Sequence, residues 1–286
     1  MAKIIDGKAI AQKIFKSSQR RILKMKTKPK LAVVFVGNNQ ASKRYVKHKE
    51  IAAKEIGMEC TIFSFKSSLS YTELQTEMKK IEKKYKPSGI IVQLPLPQKL
   101  RPKTQTILNT VPPNLDVDCL TQTNMGKLVT GNSPFIPPTV AAIMHILQKE
   151  ERVDLKEKYV VIVGAGVLVG KPLTLLMLQN EATVTICNKY TKNLKKLTKH
   201  ADILVTAVGQ KHLIRANMIK KGAIVIDVGV SIEGKKMYGD AKFEDVKKRA
   251  KSITPTPGGI GPITISYLLS NTIDAHQHTF LGKKSQ

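Results

Sequence analysis

A set of polar side chains in the first half of the chain has types and spacing suited to binding a polar heterocycle and moving a proton. Tyr45 and Lys49 are four residues apart, so a helix places them on one face. Gln93 follows the apolar run GIIV at the end of a predicted strand, and two carboxylates, Asp116 and Asp118, come later in the segment Asp116-Val117-Asp118. Taken singly, Lys49 is one of 41 lysines and Tyr45 could be a packing residue. The hypothesis of a functional site therefore depends on the occurrence of all these residues together.

A glycine-rich turn in the second half predicts a dinucleotide site. A predicted strand, residues 159–163, leads into Gly164-Ala165-Gly166-Val167-Leu168-Val169-Gly170 and then into a predicted helix. Gly164 allows a tight turn, Gly166 lets the backbone approach a pyrophosphate, and Gly170 lets the helix pack close to the sheet. The helix N-terminus would offer N–H groups to the phosphates. The spacing GxGxxxG is one residue longer than the commonest form, and an ordinary glycine turn is the structural alternative.

The residues after the next strand bear on the choice of cofactor. NAD sites often place an acidic residue there for the ribose hydroxyls. This chain has Asn188 and Lys189 at that point, with no carboxylate and with a lysine in reach of a 2′-phosphate. The pattern favours NADP, with NAD as the alternative. We also place Val230, just past a later predicted strand, at the cofactor site.

The elements that must position these residues alternate between strand and helix along the chain. Continuous apolar runs predict buried parallel strands, and helix-period stripes separate them. The predicted strands are 31–36, 60–65, 89–94, 159–163, 182–187, 202–208 and 223–228. Ser70 and Glu73 form a predicted capping box at the start of one helix. Alternation of this kind predicts an α/β fold with mostly parallel sheets.

Breaks in this alternation predict two domains. A Pro/Gly-rich stretch near residues 112–138 interrupts the pattern. We expect a first domain over residues 1–120 and a Rossmann-like dinucleotide-binding domain over 121–265. We expect the remaining residues, 266–286, to form a C-terminal helix.

The net charge of +27 raises the alternative of a nucleic-acid-binding protein. The excess consists of 41 Lys and only 7 Arg, whereas Arg is preferred for bidentate contacts to phosphates and bases. The lysines are dispersed, Trp is absent and aromatic residues make up 5%, which is poor material for base stacking. We therefore expect no nucleic-acid partner.

Cysteine usage and the hydropathy pattern predict a soluble cytoplasmic protein. The three cysteines lie far apart and form no CxxC pair, which argues against disulfides and a metal site. No apolar run reaches the ~20 residues of a membrane-spanning helix, and the first residues lack the features of a signal peptide. We expect no membrane association and no metal.

The chain resembles the bifunctional methylenetetrahydrofolate dehydrogenase/methenyltetrahydrofolate cyclohydrolases over nearly its whole length. The resemblance is carried by Asp6-Gly7-Lys8, Ser42-x-x-Tyr45-x-x-x-Lys49, Val92-Gln93-Leu94-Pro95-Leu96-Pro97, Asp116-Val117-Asp118, Val169-Gly170-Lys171-Pro172, Ile226-Asp227-Val228-Gly229, Gly239-Asp240 and Thr254-Pro255-Thr256-Pro257-Gly258-Gly259-Ile260-Gly261-Pro262. The last motif, followed by Asn271-Thr272, is the most specific of these.

The resemblance implies oxidation of methylenetetrahydrofolate with NADP, then hydrolysis to formyltetrahydrofolate. It implies that Lys49 serves the hydrolysis step with Tyr45 and Gln93 beside it, and that Asp118 holds the pterin. The implied substrate site also takes in Val92, Leu94 and the loop Pro257, Gly258, Gly259, Ile260 and Gly261. A homodimer and a C-terminal helix that returns to the first domain are implied as well.

Departures from the family pattern concentrate at the cofactor turn. Ala165 and Gly166 replace a usual arginine and serine, and Asn188-Lys189 replaces a usual His-Ser. Leu115, Cys119 and Pro138 also differ from the usual residues. The nearer functional alternative is therefore a monofunctional, NAD-linked methylenetetrahydrofolate dehydrogenase.

Overall fold

The protein is built of alternating strands and helices, seen in a computed structural model that describes residues 2–234 and 236–281. The strands are β1 (Lys3–Ile4), β2 (Lys30–Val36), β3 (Glu59–Phe65), β4 (Gly89–Val92), β5 (Tyr159–Val163), β6 (Thr183–Cys187), β7 (Ile203–Thr206), β8 (Ile224–Asp227), β9 (Ser231–Glu233), β10 (Lys236–Tyr238) and β11 (Ser252–Ile253). The α-helices are α1 (Gly7–Leu23), α2 (Gln40–Glu55), α3 (Tyr71–Lys80), α4 (Thr104–Leu108), α5 (Gln122–Val129), α6 (Pro138–His145), α7 (Gly170–Gln179), α8 (Leu194–Thr198), α9 (Phe243–Val246) and α10 (Ile260–Leu281). The predicted α/β class is confirmed.

Short segments of other helical types extend this framework. Helices α3 and α6 each continue into a π-helical turn, Ile81–Tyr85 and Ile146–Glu150. There are also two 3₁₀ segments: Gln98–Lys103 runs directly into α4, and Ala216–Met218 lies in a loop. The predicted capping box at α3 is confirmed: the Ser70 hydroxyl accepts from the Glu73 N–H, and the Glu73 carboxylate accepts from the Ser70 N–H.

The larger sheet contains six parallel strands in the order β1-β11-β8-β7-β5-β6. The chain passes from β5 to its neighbour β6 and then crosses back to β7 on the other side. Such a reversal opens a crevice at the carboxyl ends of the strands, which is where doubly wound sheets bind ligands. The glycine-rich turn after β5 lies at this point. Every residue of β7 and β8 is buried, as expected of central strands in a parallel sheet.

The smaller sheet has three parallel strands in the order β3-β2-β4. Its chain also reverses direction across the sheet, from β3 on one side of β2 to β4 on the other. The carboxyl ends of β2 and β4 therefore border a second crevice. Three residues separate the end of β2 from the start of α2, and Gln93 comes directly after β4. This sheet thus brings α2 and Gln93 to one edge.

The chain divides into two compact units. The six-stranded unit comprises Met1–Gln12 and Thr139–Thr264. The three-stranded unit comprises Lys13–Pro138 and the chain from Ile265 onward. The predicted boundary after residue 265 lies within one residue of the observed limit, whereas the predicted boundary after residue 120 falls before Pro138 and residues 1–12 belong to the other unit.

Two interactions explain the difference, one between distant strands and one within a short segment of the chain. The first residues join the six-stranded unit because β1 pairs in parallel with β11, almost 250 residues later in the chain. Residues beyond 120 stay in the three-stranded unit because the Asn124 side chain of α5 donates to the Pro113 carbonyl and to the Asp116 carboxylate. Neither interaction has a local sequence signal.

The last helix, α10, contributes to the three-stranded unit from Ile265 onward. The Asn271 side chain donates to the carbonyls of Val117 and Ile136, both at 2.9 Å. Arg21 of α1 forms an ion pair with Asp274 of α10. The end of the predicted C-terminal segment, residues 282–286, lies outside the described residues. Within the part of the chain that the structure describes, every helix is too short or too polar to traverse a bilayer.

Candidate active site

Helix α2 carries Tyr45 and Lys49 on one face, as the four-residue spacing predicts. The helix is capped by the Asn39 side chain, which accepts from the Ser42 N–H at 2.9 Å. Lys49 is only 5% exposed, although lysines are almost never fully buried without a partner. Its Nζ lies 4.8 Å from the centroid of the half-buried Tyr45 ring.

Gln93 is the hydrogen-bond partner of the buried lysine. The Lys49 Nζ donates to the Gln93 Oε1 at 3.0 Å. The Gln93 backbone N–H donates to the Val34 carbonyl at 2.9 Å, which continues the β2–β4 ladder by one residue. Its side-chain Nε2 donates to the Leu94 carbonyl at 2.6 Å. Because both ends of the amide are engaged, its oxygen is held toward Lys49.

Two nearby carboxylates, alike in sequence, have different surroundings. Asp116 is 3% exposed and accepts from the N–H groups of Leu120 and Thr121 and from the Asn124 side chain. These bonds fix the loop that leads into α5. Asp118 is half-buried, and its charge acts on both Lys49 and Tyr45. Asp118 is therefore the carboxylate whose charge acts on the lysine, and Asp116 supports the loop.

Burial controls the protonation of this cluster. Burial lowers the pKa of the Lys49 amine below its usual value, and the charges of Asp118 and Cys60 oppose that shift only in part. Burial raises the pKa of the Asp118 carboxyl, with Lys49 acting in the opposite direction and Asp116 adding to the rise. Burial, with a contribution from Asp118, also raises the pKa of the Tyr45 phenol, so the phenol stays protonated. Lys49 therefore loses its proton at a lower pH than a surface lysine does.

The flanking residues Val92 and Leu94 shape the same edge. Val92 is 3% exposed at the end of β4, and Leu94 is half-buried. The structure brings Tyr45, Lys49, Gln93 and Asp118 together in the three-stranded unit.

The glycine turn after β5 has the shape expected of a phosphate-binding turn. Gly164 has φ +119°, and a Cβ there would lie 2.5 Å from the Ala207 carbonyl oxygen. A Cβ at Gly170 would lie 1.8 Å from the Gly164 carbonyl oxygen, so α7 begins in direct contact with the turn. Gly166 has nothing within 4 Å of an added Cβ and is exposed. The turn is therefore tight at both ends and open in the middle, which fits a bound pyrophosphate.

Exposed apolar side chains surround this turn. Ala165 is half-buried, while Val167 and Leu168 in the turn are 47% and 44% exposed. Val208 after β7 and Val230 after β8 are 47% and 46% exposed. All four lie in loops at the carboxyl edge of the six-stranded sheet. A dinucleotide bound at this edge would cover apolar surface that water otherwise contacts.

Lys189 lies at the same edge, two residues past the end of β6. It is exposed, and its Nζ lies 4.8 Å from the centroid of the Tyr190 ring. The turn is shaped by Asn188, whose side chain accepts from the Tyr190 N–H and whose N–H donates to the Thr191 hydroxyl, both at 2.9 Å. An ammonium is thus available beside β5, the strand that carries the glycine turn.

The loop Pro257–Gly261 belongs to the six-stranded unit and leads into α10. A Cβ at Gly7 would lie 1.8 Å from the Gly259 carbonyl oxygen, so the start of α1 packs directly on the loop backbone. Gly258 has φ +99°, which only glycine adopts readily. The predicted loop residues thus lie in a different unit from Lys49.

Sequence reasoning assigned no role to Asp227, Asp240 and Asn124, although the first two lie in the quoted motifs. All three are buried polar residues. Nothing in the sequence marks these residues as buried, because the burial of an Asp or Asn depends on the tertiary structure. Among residues 2–234 and 236–281, no group of three or more His, Cys, Asp or Glu could hold a metal ion.

Two family models match the chain and together span most of it. The tetrahydrofolate dehydrogenase/cyclohydrolase catalytic domain matches residues 5–118. The tetrahydrofolate dehydrogenase/cyclohydrolase NAD(P)-binding domain matches residues 137–280.

Individual relatives agree with these models. The bifunctional protein FolD of Hydrogenobaculum is 44% identical, with 96% of this chain and 98% of the relative covered. The crystal structure of the bifunctional FolD from Campylobacter jejuni has a TM-score of 0.92 at 36% identity, covering 98% of this chain and all of that one. The Trypanosoma brucei enzyme, crystallised with NADP cofactor and inhibitor, has a TM-score of 0.92 at 32% identity, with 98% of both chains covered. The chain belongs to the tetrahydrofolate dehydrogenase/cyclohydrolase family.

Proposed function

We propose that this protein oxidises methylenetetrahydrofolate to methenyltetrahydrofolate with NADP and then hydrolyses the product to formyltetrahydrofolate. The observation that carries the proposal is the buried Lys49, whose amine is bonded to Gln93 at 3.0 Å in a chain that also has a dinucleotide turn. A surface lysine would not be suited to proton transfer, because it stays protonated at neutral pH.

The first step requires orientation of the folate rather than acid–base chemistry. NADP supplies the hydride acceptor when it is bound. Asp118 contributes by binding the pterin, which presents N–H donors that a carboxylate can accept together. Val92 and Leu94 belong to the proposed substrate site, and the family resemblance assigns the loop Pro257–Gly261 a role in folate binding as well. Positioning of this kind is a large part of catalysis in reactions between two bound molecules.

The second step uses Lys49 as the base. Its neutral amine takes a proton as a water oxygen forms a bond to the methenyl carbon. The carbon then breaks its bond to one of the two folate nitrogens, and that nitrogen accepts a proton from the Lys49 ammonium. The second proton of the water is released to solvent, so one water is consumed and one proton is liberated. A base that returns its proton in this way has a pKa near the working pH, which burial of Lys49 favours.

Tyr45 and Gln93 keep Lys49 in place through both protonation states. The Gln93 oxygen accepts a hydrogen bond from the ammonium and from the amine alike. The Tyr45 ring, 4.8 Å from the Nζ, stabilises the ammonium when it forms. The bound methenyl cation repels the ammonium and so favours the neutral base before the attack.

Cofactor preference in this proposal depends on Lys189. With Ala165 in the turn, the usual arginine charge is missing, and Lys189 can supply a cation for the 2′-phosphate. Use of NAD by a monofunctional dehydrogenase is the second candidate, and the Ala165 replacement is the observation that favours it.

One spectrophotometric experiment tests both candidates. Purified protein is given methylenetetrahydrofolate with NADP or with NAD, and the reduced cofactor and the methenyl intermediate are followed together. The proposal expects reduction of NADP in preference to NAD, with the intermediate converted onward. Accumulation of the methenyl compound with NAD reduction would support the monofunctional candidate instead. Failure of both cofactors would refute the proposed oxidation.

The proposal includes a homodimer in the cytoplasm that binds no nucleic acid. The homodimer rests on the family resemblance, and sedimentation analysis would test it. A cytoplasmic location is supported by the cysteines Cys60, Cys119 and Cys187, which are buried thiols. A filter-binding assay with DNA and RNA would test the expected lack of nucleic-acid affinity.

A further inference from the structure

The carboxylate of Asp240 is buried at the carboxyl edge of the six-stranded sheet, and neither step of the proposed reaction uses it. Asp240 is 0% exposed. Its Oδ2 accepts from the Thr206 hydroxyl at 2.8 Å and from the Val208 N–H at 2.7 Å. Its Oδ1 accepts from the Gln210 N–H at 2.7 Å. Three donors from one five-residue segment, residues 206–210, thus converge on a single carboxylate.

A second carboxylate holds Asp240 itself. Asp227, at the end of β8, is 4% exposed and accepts from the Asp240 N–H at 3.1 Å and from the Ala241 N–H at 2.9 Å. The Asp227 N–H in turn donates to the Thr254 hydroxyl at 2.7 Å. The Asp240 backbone is therefore fixed to the sheet, and its side chain extends from there to residues 206–210.

The loop after β8 also lies against Asp240. A Cβ at Gly229 would lie 2.1 Å from the Asp240 carboxylate, so only glycine leaves room for it. The Gly229 N–H donates to the Thr206 carbonyl at 3.2 Å. One buried side chain therefore determines how the loops after β7 and β8 are placed relative to each other.

These two loops present surface where half of a dinucleotide would lie. The halves of a dinucleotide bind on opposite sides of the point where strand order reverses, here β5. Lys189 after β6 is on one side, and the loops after β7 and β8 are on the other. Val208 and Val230 are each nearly half exposed, and a Cβ at Gly209 would lie 3.4 Å from the Val230 carbonyl oxygen.

We propose that Asp240 is a positioning residue for the nicotinamide half of NADP, acting by holding residues 206–210 against residues 228–230. This inference rests on the proposed NADP-linked function. A carboxylate suits the role because it accepts at both oxygens, whereas an amide would set an NH₂ group against one of the loop donors.

The test uses Asp240→Asn in the full-length protein, with Asp202→Asn as a matched control. Asp202 is also a carboxylate of the six-stranded unit that accepts a backbone N–H, from Tyr159 at 3.0 Å, but it lies at the amino end of β7. Calorimetric titration should show the NADP dissociation constant rising about tenfold in Asp240→Asn, the loss expected for one hydrogen bond to a charged group. The constant should be unchanged in Asp202→Asn.

Two readouts separate positioning from general damage. Without NADP, the amides of Val208 and Gln210 should exchange with deuterium faster in Asp240→Asn, while those of β7 keep their protection. Hydrolysis of methenyltetrahydrofolate, assigned to Lys49 in the other unit, should keep its rate. Unchanged NADP affinity in a folded Asp240→Asn protein, or equal loss of NADP binding and of hydrolysis, overturns the inference.

A milder variant covers the case in which Asp240→Asn does not fold. Thr206→Val removes one donor and leaves the carboxylate in place, so NADP affinity should fall by a smaller factor with faster exchange at Val208. No change in either quantity would contradict the inference. If the wild-type protein itself binds neither NADP nor NAD, the proposed function fails, and the exchange measurement still decides whether Asp240 holds the loop.

Discussion

The Nζ of Lys49 lies 3.0 Å from the Oε1 of Gln93, although the two residues come from a helix and a strand end 44 positions apart. The bond joins the middle of α2 to the first residue after β4. It gives a buried lysine a neutral partner, so the amine is oriented without a carboxylate bonded to it. This arrangement lets burial lower the pKa of Lys49.

Replacement of the lysine should separate the two activities. We expect Lys49→Met and Lys49→Ala to abolish methenyl hydrolysis, since removal of a general base costs about 10²–10⁴-fold. Hydride transfer should remain measurable because it needs no proton acceptor. Lys54→Met, on the exposed side of the same helix, is the control. Near-normal hydrolysis by purified Lys49→Met protein would rule out the assigned role.

A charged residue in place of Gln93 should shift the pH dependence of hydrolysis. The rate requires neutral Lys49 and therefore rises as pH increases through the pKa of the amine. Gln93→Glu places a carboxylate next to the ammonium and raises that pKa, so the rising limb should move to higher pH, by about one unit or more. Hydrolysis rates from pH 5 to pH 10 measure the shift. A profile that stays in place would show that Lys49 is not the titrating group.

Asp118→Asn should weaken folate binding and spare the cofactor. The substitution keeps the side-chain size but replaces one acceptor oxygen with an NH₂ group, which would face the pterin donors. Titration calorimetry should show a severe loss of affinity for the folate substrate and an unchanged affinity for NADP. Equal loss of both would instead indicate a structural role for Asp118.

Lys189→Ala should reduce the preference for NADP over NAD. A charge-assisted contact to the 2′-phosphate contributes roughly 1.5–3 kcal/mol, so the apparent constant for NADP should rise by about one to two decades. NAD, which lacks the phosphate, should be little affected. Lys192→Ala, another exposed lysine nearby, serves as the control. A wild type without NADP preference, or a mutant that keeps it in full, would contradict the assignment.

Strong local patterns were enough to predict the long elements. The apolar run of β2 and the strand–turn–helix pattern at Gly164 are sequence-local, so both could be identified in advance. The strands β1 and β11 could not be identified in advance, because each has only two residues and is defined by pairing with distant neighbours. The hairpin of β9 and β10 was missed for a similar reason, since its strands are three residues long and partly exposed.

The sequence by itself determined the α/β class, the glycine turn and the candidate residues Tyr45, Lys49, Gln93 and the pair Asp116 and Asp118, because residue type and spacing carry that information. Tertiary structure alone decided that Asp116 supports the loop while the charge of Asp118 acts on the lysine. Asp116 and Asp118 are identical in type and two residues apart, yet the donors from Leu120, Thr121 and Asn124 converge on Asp116. It also decided that Lys49 is buried and that Asp240 collects three loop donors, since desolvation and convergent hydrogen bonds depend on groups far apart in the chain.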